Sequence, residues 1–144
     1  MITINKIIDG KCEALHNEFG QEYEVYTEDI PQNLTEPCFG VTVISSSTEL
    51  YRGKRYYMTN AFCIYYFPKS KDVARKECFE INQRLLDCLE WITVDGDLTM
   101  GTKKNCILDN GVLSFFVNYD MFVFKQPEVT PYMENLIHSS EMKG

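Results

Sequence analysis

The sequence predicts an α+β domain in which two main α-helices pack on one face of a mostly antiparallel β-sheet. Two segments carry apolar residues at the three-and-four spacing of an amphipathic helix. The segments between and after them are rich in β-branched and aromatic residues and are joined by turn sequences, as expected for hairpins. The 144 residues suffice for one domain and fall short of two ordinary ones.

The first helix is predicted over residues 3–19, with Thr3 as N-cap and Gly20 as the stop. Lys11 is assigned to its polar face. The apolar face is formed by Ile4, Ile7, Ile8, Cys12, Leu15 and Phe19. Residues 22–27 then alternate between polar and apolar side chains, which predicts a short half-buried strand that ends before Pro31.

Two strands are predicted over residues 38–46 and about 56–67. The intervening residues 49–55 are either the tip of a long antiparallel hairpin or a loop that projects from the sheet. Gly53 is the strongest turn signal in this stretch.

The second helix is predicted from Val73 to Ile92, after Pro68, with Ser70 or Asp72 as its N-cap. A turn at residues 95–97 ends it. Two further strands are predicted over residues 103–108 and 112–125, joined through Asn110-Gly111, which is a strong hairpin signal. A single domain is therefore expected over residues 1–127, followed by a tail, residues 128–144, with a short helix over residues 131–138.

Composition and charge exclude several classes of protein. The net charge of −7 disfavours a protein that coats nucleic acid, because binding to phosphates requires a cationic surface. No apolar run is long enough for a transmembrane helix, and no secretory signal precedes the domain, so we expect a cytosolic protein that does not associate with membranes. The six cysteines contain no Cys-x-x-Cys pair and are interpreted as small core residues.

The sequence contains no recognisable catalytic or metal-binding pattern. His16 and His138 are far apart and have no ligand partners at suitable spacing, and Asp95-Gly96-Asp97 lacks the rest of a calcium loop. No glycine-rich phosphate loop and no nucleophile elbow are present. We therefore expect a protein that is not an enzyme and has no cofactor, catalytic residue or metal site.

One cluster has the composition of an interaction surface. Arg52, Lys54 and Arg55 alternate with aromatic residues, among them Tyr51. Such a cluster can bind an acidic protein surface, can stack on nucleic-acid bases or can be a solvated hairpin tip. In a chain of net charge −7, contact between identical subunits is the most natural of the three alternatives.

Several segments resemble a family of small prophage tail proteins from Gram-positive bacteria, described as phage tail terminator proteins. The similarity extends over nearly the whole chain, up to about Pro127. It is carried by residues 2–10 (ITINKIIDG), 26–34 (YTEDIPQNL), 36–39 (EPCF), 50–57 (LYRGKRYY), 66–68 (YFP), 111–113 (GVL) and 116–119 (FVNY).

This resemblance implies a structural protein with an antiparallel sheet covered by helices. Such proteins form a ring, generally hexameric, that caps the head-proximal end of the tail tube, stops its polymerisation and presents the surface to which the head docks. The implied partners are further copies of the chain, the tail tube protein and the head-tail connector protein, and DNA only passes through the lumen. The protein would assemble in the host cytoplasm and remain in the virion tail. The alternative is another head-tail connector or a tail tube assembly protein.

Two sets of residues are expected to serve such a ring. Tyr51, Arg52, Lys54 and Arg55 are expected to contact a neighbouring subunit or the tube. An acidic lumen would repel the DNA duplex and let it slide. The expected pore-lining residues are Glu22, Glu24, Glu28 and Asp29, which cluster on one predicted strand and the following loop.

Overall fold

The computed structural model describes residues 2–20, 22–27, 34–69 and 72–124. Within these residues the chain forms two helices and eight strands. Their order is α1 (Ile4–Phe19), β1 (Glu24–Tyr26), β2 (Cys38–Arg52), β3 (Arg55–Phe67), α2 (Ala74–Cys88), β4 (Trp91–Val94), β5 (Asp97–Met100), β6 (Thr102–Asp109), β7 (Val112–Asn118) and β8 (Met121–Phe124). The tail, residues 128–144, and its predicted helix lie outside the described residues, so that both stay predictions.

Six strands form the main sheet, in the order β1-β2-β3-β7-β6, with β8 paired to β3. β4 and β5 form a separate two-stranded sheet. Among the described strands, β1 and β2 run parallel, and all other paired strands are antiparallel. The predicted α+β class with a mostly antiparallel sheet is therefore confirmed.

The core lies between the helices and one face of the main sheet. Phe62, Ile64 and Tyr66 of β3 are buried and stand opposite Val117, Phe115 and Leu113 of β7. The helices cover these side chains with Ile7, Leu15, Cys78, Ile81 and Leu85, all of which belong to the same buried cluster. Each of the Val, Leu, Ile and Phe side chains among them contributes roughly 1.5–3 kcal/mol relative to full exposure.

The ends of α1 are as predicted, but the position of Lys11 is not. The Thr3 hydroxyl accepts a hydrogen bond of 3.3 Å from the Lys6 amide, and Gly20 follows the helix with φ 79°. Lys11 was expected on the polar face, and this was wrong, since the residue is fully buried. Lys11 stands four positions after Ile7 and four before Leu15, so the helix places all three on one face.

The second helix is shorter than predicted and begins without a side-chain cap. Its N-cap is Val73, not Ser70 or Asp72, and the helix ends at Cys88, so Ile92 was wrongly assigned to it. Residues 91–94 instead form β4, in which Ile92 and Val94 are buried and alternate with exposed residues. The predicted turn at residues 95–97 joins β4 to β5, and Asp95 and Gly96 both have positive φ, as in a tight hairpin turn.

The predicted strand over residues 112–125 is two strands. β7 ends at Asn118, and β8 begins at Met121 and pairs with Arg55–Met58 of β3. The break is stabilised by Tyr119, which is buried, and by Asp120, whose carboxylate accepts a hydrogen bond of 3.0 Å from the Asn60 amide. Lys125 lies outside the described residues.

All six cysteines are free thiols. Cys38, Cys63 and Cys78 are buried, and Cys12, Cys88 and Cys106 are half-buried. Burial raises the pKa of Cys38 to about 11 and that of Cys88 to about 12, with smaller contributions from nearby carboxylates. These two thiols are therefore protonated at neutral pH and behave as small apolar residues.

Candidate interaction surface

A long hairpin extends from the core and carries the cluster singled out in the sequence. The pairing of β2 with β3 continues to Arg52 and Arg55, so residues 49–55 form a hairpin tip and not a separate loop. Gly53 lies in the turn with φ 60°, a conformation that favours glycine. We call residues 43–57, together with β8, the arm. All β2 residues of the arm are exposed.

An aromatic cluster forms on one face of the arm. The register of β3 and β8 places Tyr57 opposite Phe122, and Arg55 opposite Phe124. The Phe122 ring lies 5.1 Å from the Tyr51 ring and 4.9 Å from the Tyr57 ring, measured between centroids, and both contacts are edge-to-face. The Arg55 guanidinium lies 5.5 Å from the Phe122 ring and 5.5 Å from the Phe124 ring.

Much of this apolar surface faces solvent. The exposed fractions are 62% for Leu50, 60% for Tyr51, 48% for Phe122 and 60% for Phe124. Side chains of Glu49, Leu50, Tyr51, Tyr57 and Phe122 line an open groove along the arm. Contiguous exposed apolar surface of this kind is characteristic of sites that bind another molecule.

The tip of the arm is cationic. Arg52, Lys54 and Arg55 are exposed, and none of them forms an ion pair with a carboxylate in the described ranges. The structure thus brings together all four residues expected at an interface, Tyr51 included. It adds Phe122 and Phe124, which the sequence analysis placed in one long strand and did not associate with the hairpin.

The residues expected to line a pore are only partly described. Glu22 and Glu24 are exposed, and Glu24 begins β1 at the edge of the main sheet. Glu28 and Asp29 lie outside the described residues. Their role in a pore therefore stays a prediction.

A second exposed surface lies on the hairpin of β4 and β5, and the sequence analysis missed it. Trp91 stands opposite Met100, and Thr93 opposite Leu98, so these side chains share the outer face of the two-stranded sheet. The exposed fractions are 51% for Trp91, 46% for Met100 and 71% for Leu98. The β-branched and aromatic run Trp91-Ile92-Thr93-Val94, followed by Asp95-Gly96, was the signal that could have revealed this strand.

An acidic groove adjoins this hairpin where α1 packs against β4. It is lined by Lys6, Asp9, Gly10, Glu13, Thr93, Asp95 and Gly96. Lys6 Nζ forms an ion pair of 3.1 Å with Asp95. The close approach of the two elements depends on Gly10, since a Cβ atom there would lie 2.5 Å from the Thr93 carbonyl oxygen.

Three buried titratable groups lie in the core and have a structural role. The Tyr66 hydroxyl donates a hydrogen bond of 2.6 Å to Glu77, and burial together with that carboxylate raises the pKa of Tyr66. The Tyr119 hydroxyl donates a bond of 2.6 Å to the Leu89 carbonyl, and burial raises its pKa. Burial lowers the pKa of Lys11 from 10.5 to about 6.

Two other kinds of site are absent from the part of the chain that the structure describes. Over residues 2–20, 22–27, 34–69 and 72–124, no group of three or more histidine, cysteine or acidic side chains could hold a metal ion. In the same ranges, no helix is long and apolar enough to span a membrane.

Comparison with known proteins identifies the family. A search of curated proteins found no match to the chain. One solved protein structure is similar over 89% of this chain and 100% of its own length, with 8% sequence identity and a TM-score of 0.45. The family described as phage tail terminator protein matches residues 6–131. The chain therefore belongs to the phage tail terminator family and is a structural protein of the phage tail.

Proposed function

We propose that this protein caps the head-proximal end of the tail tube as a homo-oligomeric ring, stops polymerisation of the tube and presents the surface to which the head docks. Six is the subunit number that the family resemblance implies. Besides family membership, the structural feature that supports this proposal is the arm. Its exposed aromatic and cationic side chains have the composition of a protein interface and no ion-pair partner among the described residues.

The charge of the arm favours a head-to-tail arrangement of copies. An interface between two identical arms would bring Arg52, Lys54 and Arg55 of one copy next to the same cations of another, which is unfavourable. Head-to-tail contacts instead join two different surfaces of each copy, and they form a closed ring when the rotation between copies closes. A closed ring ends a tube, whereas an open helical arrangement would extend it.

The ring would act on DNA only as a passage. The net charge of −7 disfavours strong binding of the duplex. Glu22 and Glu24, and with them Glu28 and Asp29, are proposed to face the lumen and to repel the phosphates. Its protein partners are other copies of the chain, the tail tube protein and the head-tail connector protein. Assembly takes place in the host cytoplasm, and the ring remains in the virion tail.

Electron microscopy of particles from an induced prophage that lacks this gene tests the proposal. We expect headless tubes that are overlong and variable in length, because nothing stops their growth. Restoring the gene in trans should restore tails of uniform length that carry heads.

The other outcomes separate the alternatives. Complete absence of tails would identify a tube subunit or an assembly factor. Finished tails of normal length without heads would identify a head-tail connector. Normal infectious particles would exclude any essential role in tail assembly.

A further inference from the structure

The arm and the hairpin of β4 and β5 have complementary compositions. The arm presents aromatic rings beside Arg52, Lys54 and Arg55. We define the receiving surface as the outer face of the β4–β5 hairpin, formed by Trp91, Leu98 and Met100, together with the acidic groove beside it. Both surfaces combine exposed apolar side chains with charge, and the charges are of opposite sign.

Continuity between the apolar and acidic parts of the receiving surface follows from β4. Thr93 lies on the same face of β4 as Trp91 and also lines the groove, together with Asp95 of the turn that follows. A single partner can therefore contact both parts at once.

The charge of the receiving surface is clearly negative. Asp9, Glu13 and Asp95 line the groove, and Asp97 is exposed at the start of β5. Lys6 offsets one of these charges through its ion pair with Asp95. Two such surfaces repel each other, as two arms do, whereas an arm and a receiving surface attract.

We propose that the receiving surface binds the arm of the neighbouring copy of this chain. The aromatic rings of the arm cover Trp91, Leu98 and Met100, and the cations at its tip lie beside the acidic groove. This inference rests on the proposed ring, for which it names the two surfaces that pair. Each copy uses one surface on each side, as a closed ring requires.

A photo-cross-linking amino acid in place of Tyr51 tests the contact in the full-length protein. The variant replaces the native gene in the prophage, and cross-linking is induced during tail assembly. We expect a cross-linked dimer of this chain in which mass spectrometry places the attachment within residues 91–100. The same probe in place of Phe79, an exposed aromatic residue of α2, should give no such product. Attachment of the Tyr51 probe to the tube protein, to the connector or to another part of this chain would overturn the proposal, as would the absence of any cross-link.

Charge exchange provides a second test in the same assay. R52E/R55E and D9K/E13K should each lower the yield of the cross-linked dimer by roughly tenfold, and combining all four substitutions in one chain should restore it. Lysine suits the helical positions 9 and 13, so we expect α1 to remain folded. If the combined variant is as defective as either pair, the two surfaces do not face each other.

Different results would contradict the pairing of these two surfaces and the proposed function. Correctly terminated tails with a Tyr51 cross-link outside residues 91–100 would contradict only the pairing of these two surfaces. Normal particles without the gene would contradict the proposed function, whatever the cross-linking shows.

Discussion

Lys11 Nζ lies 3.0 Å from the centroid of the Phe62 ring, inside the core between α1 and the main sheet. Its side chain is fully buried, and its nitrogen has no hydrogen-bond partner among the described residues. Burial lowers the pKa of Lys11 to about 6, so the amine is mostly uncharged at neutral pH. At neutral pH, folding therefore releases most of the proton that Lys11 carries in the unfolded chain.

We expect Lys11→Met to stabilise the protein at pH 7 by a few kcal/mol. The pKa of Lys11 is near 10.5 in the unfolded chain and about 6 in the folded protein. Between these two pH values, the unfolded state binds one more proton than the folded state. The contribution of Lys11 to the free energy of unfolding therefore falls as the pH decreases from about 10.5 to about 6. Below about pH 6 this contribution is constant, because both states are protonated. Chemical denaturation across this pH range measures the effect. A wild-type protein whose stability has the same pH dependence as the variant's would contradict the buried, uncharged lysine.

Tyr119→Phe should destabilise the protein by about 1–3 kcal/mol, because the buried Leu89 carbonyl would lose its hydrogen-bond donor. The lost bond, 2.6 Å long, joins the break between β7 and β8 to the residue that follows α2. Denaturant titration measures the loss. Tyr57→Phe is the matched control, because its hydroxyl forms no hydrogen bond within the described residues, and it should leave the free energy of unfolding unchanged. Equal stability of the two variants would show that the Leu89 carbonyl is satisfied in another way.

The elements with strong local signals were predictable from the sequence. Thr3 and Gly20 set the limits of α1, and Asn110-Gly111 forms the turn between β6 and β7, where both residues have positive φ. These features depend on capping and turn preferences that act within a few residues. The family resemblance likewise agreed with the match over residues 6–131.

The errors arose where tertiary contacts decide the structure. Leu89 and Ile92 continue the spacing of α2, but Ile92 belongs to a strand whose burial is set by contact with α1. The break at Tyr119 depends on the distant Leu89 and Asn60, which sequence spacing cannot reveal. The part of the candidate site contributed by Phe122 was missed for the same reason, since β8 joins the arm only through its pairing with β3.

Gly10→Ala should destabilise the protein by roughly 1–3 kcal/mol, although alanine favours helices. The added Cβ atom would lie 2.5 Å from the Thr93 carbonyl oxygen, which belongs to the backbone of β4, so α1 and β4 would have to move apart. Thermal unfolding monitored by circular dichroism measures the change. Asn17→Ala, at an exposed position of the same helix, should be neutral or stabilising. Stabilisation by both substitutions would mean that the contact between α1 and β4 is looser than the structure shows.

Glu22→Lys/Glu24→Lys should impair passage of DNA through the tail without changing tail length. In the proposed ring these carboxylates face the lumen, so cations there would bind the phosphates of the passing duplex and slow its movement. The substitutions change the net charge of each chain from −7 to −7 + 4 = −3. Glu80→Lys/Asp87→Lys causes the same change in net charge at exposed positions of α2 and serves as the control. The measurements are tail length by electron microscopy and the rate of DNA ejection from purified particles. Equal ejection rates for both variants, or a ring structure with Glu22 and Glu24 on its outer wall, would exclude these two residues from the pore.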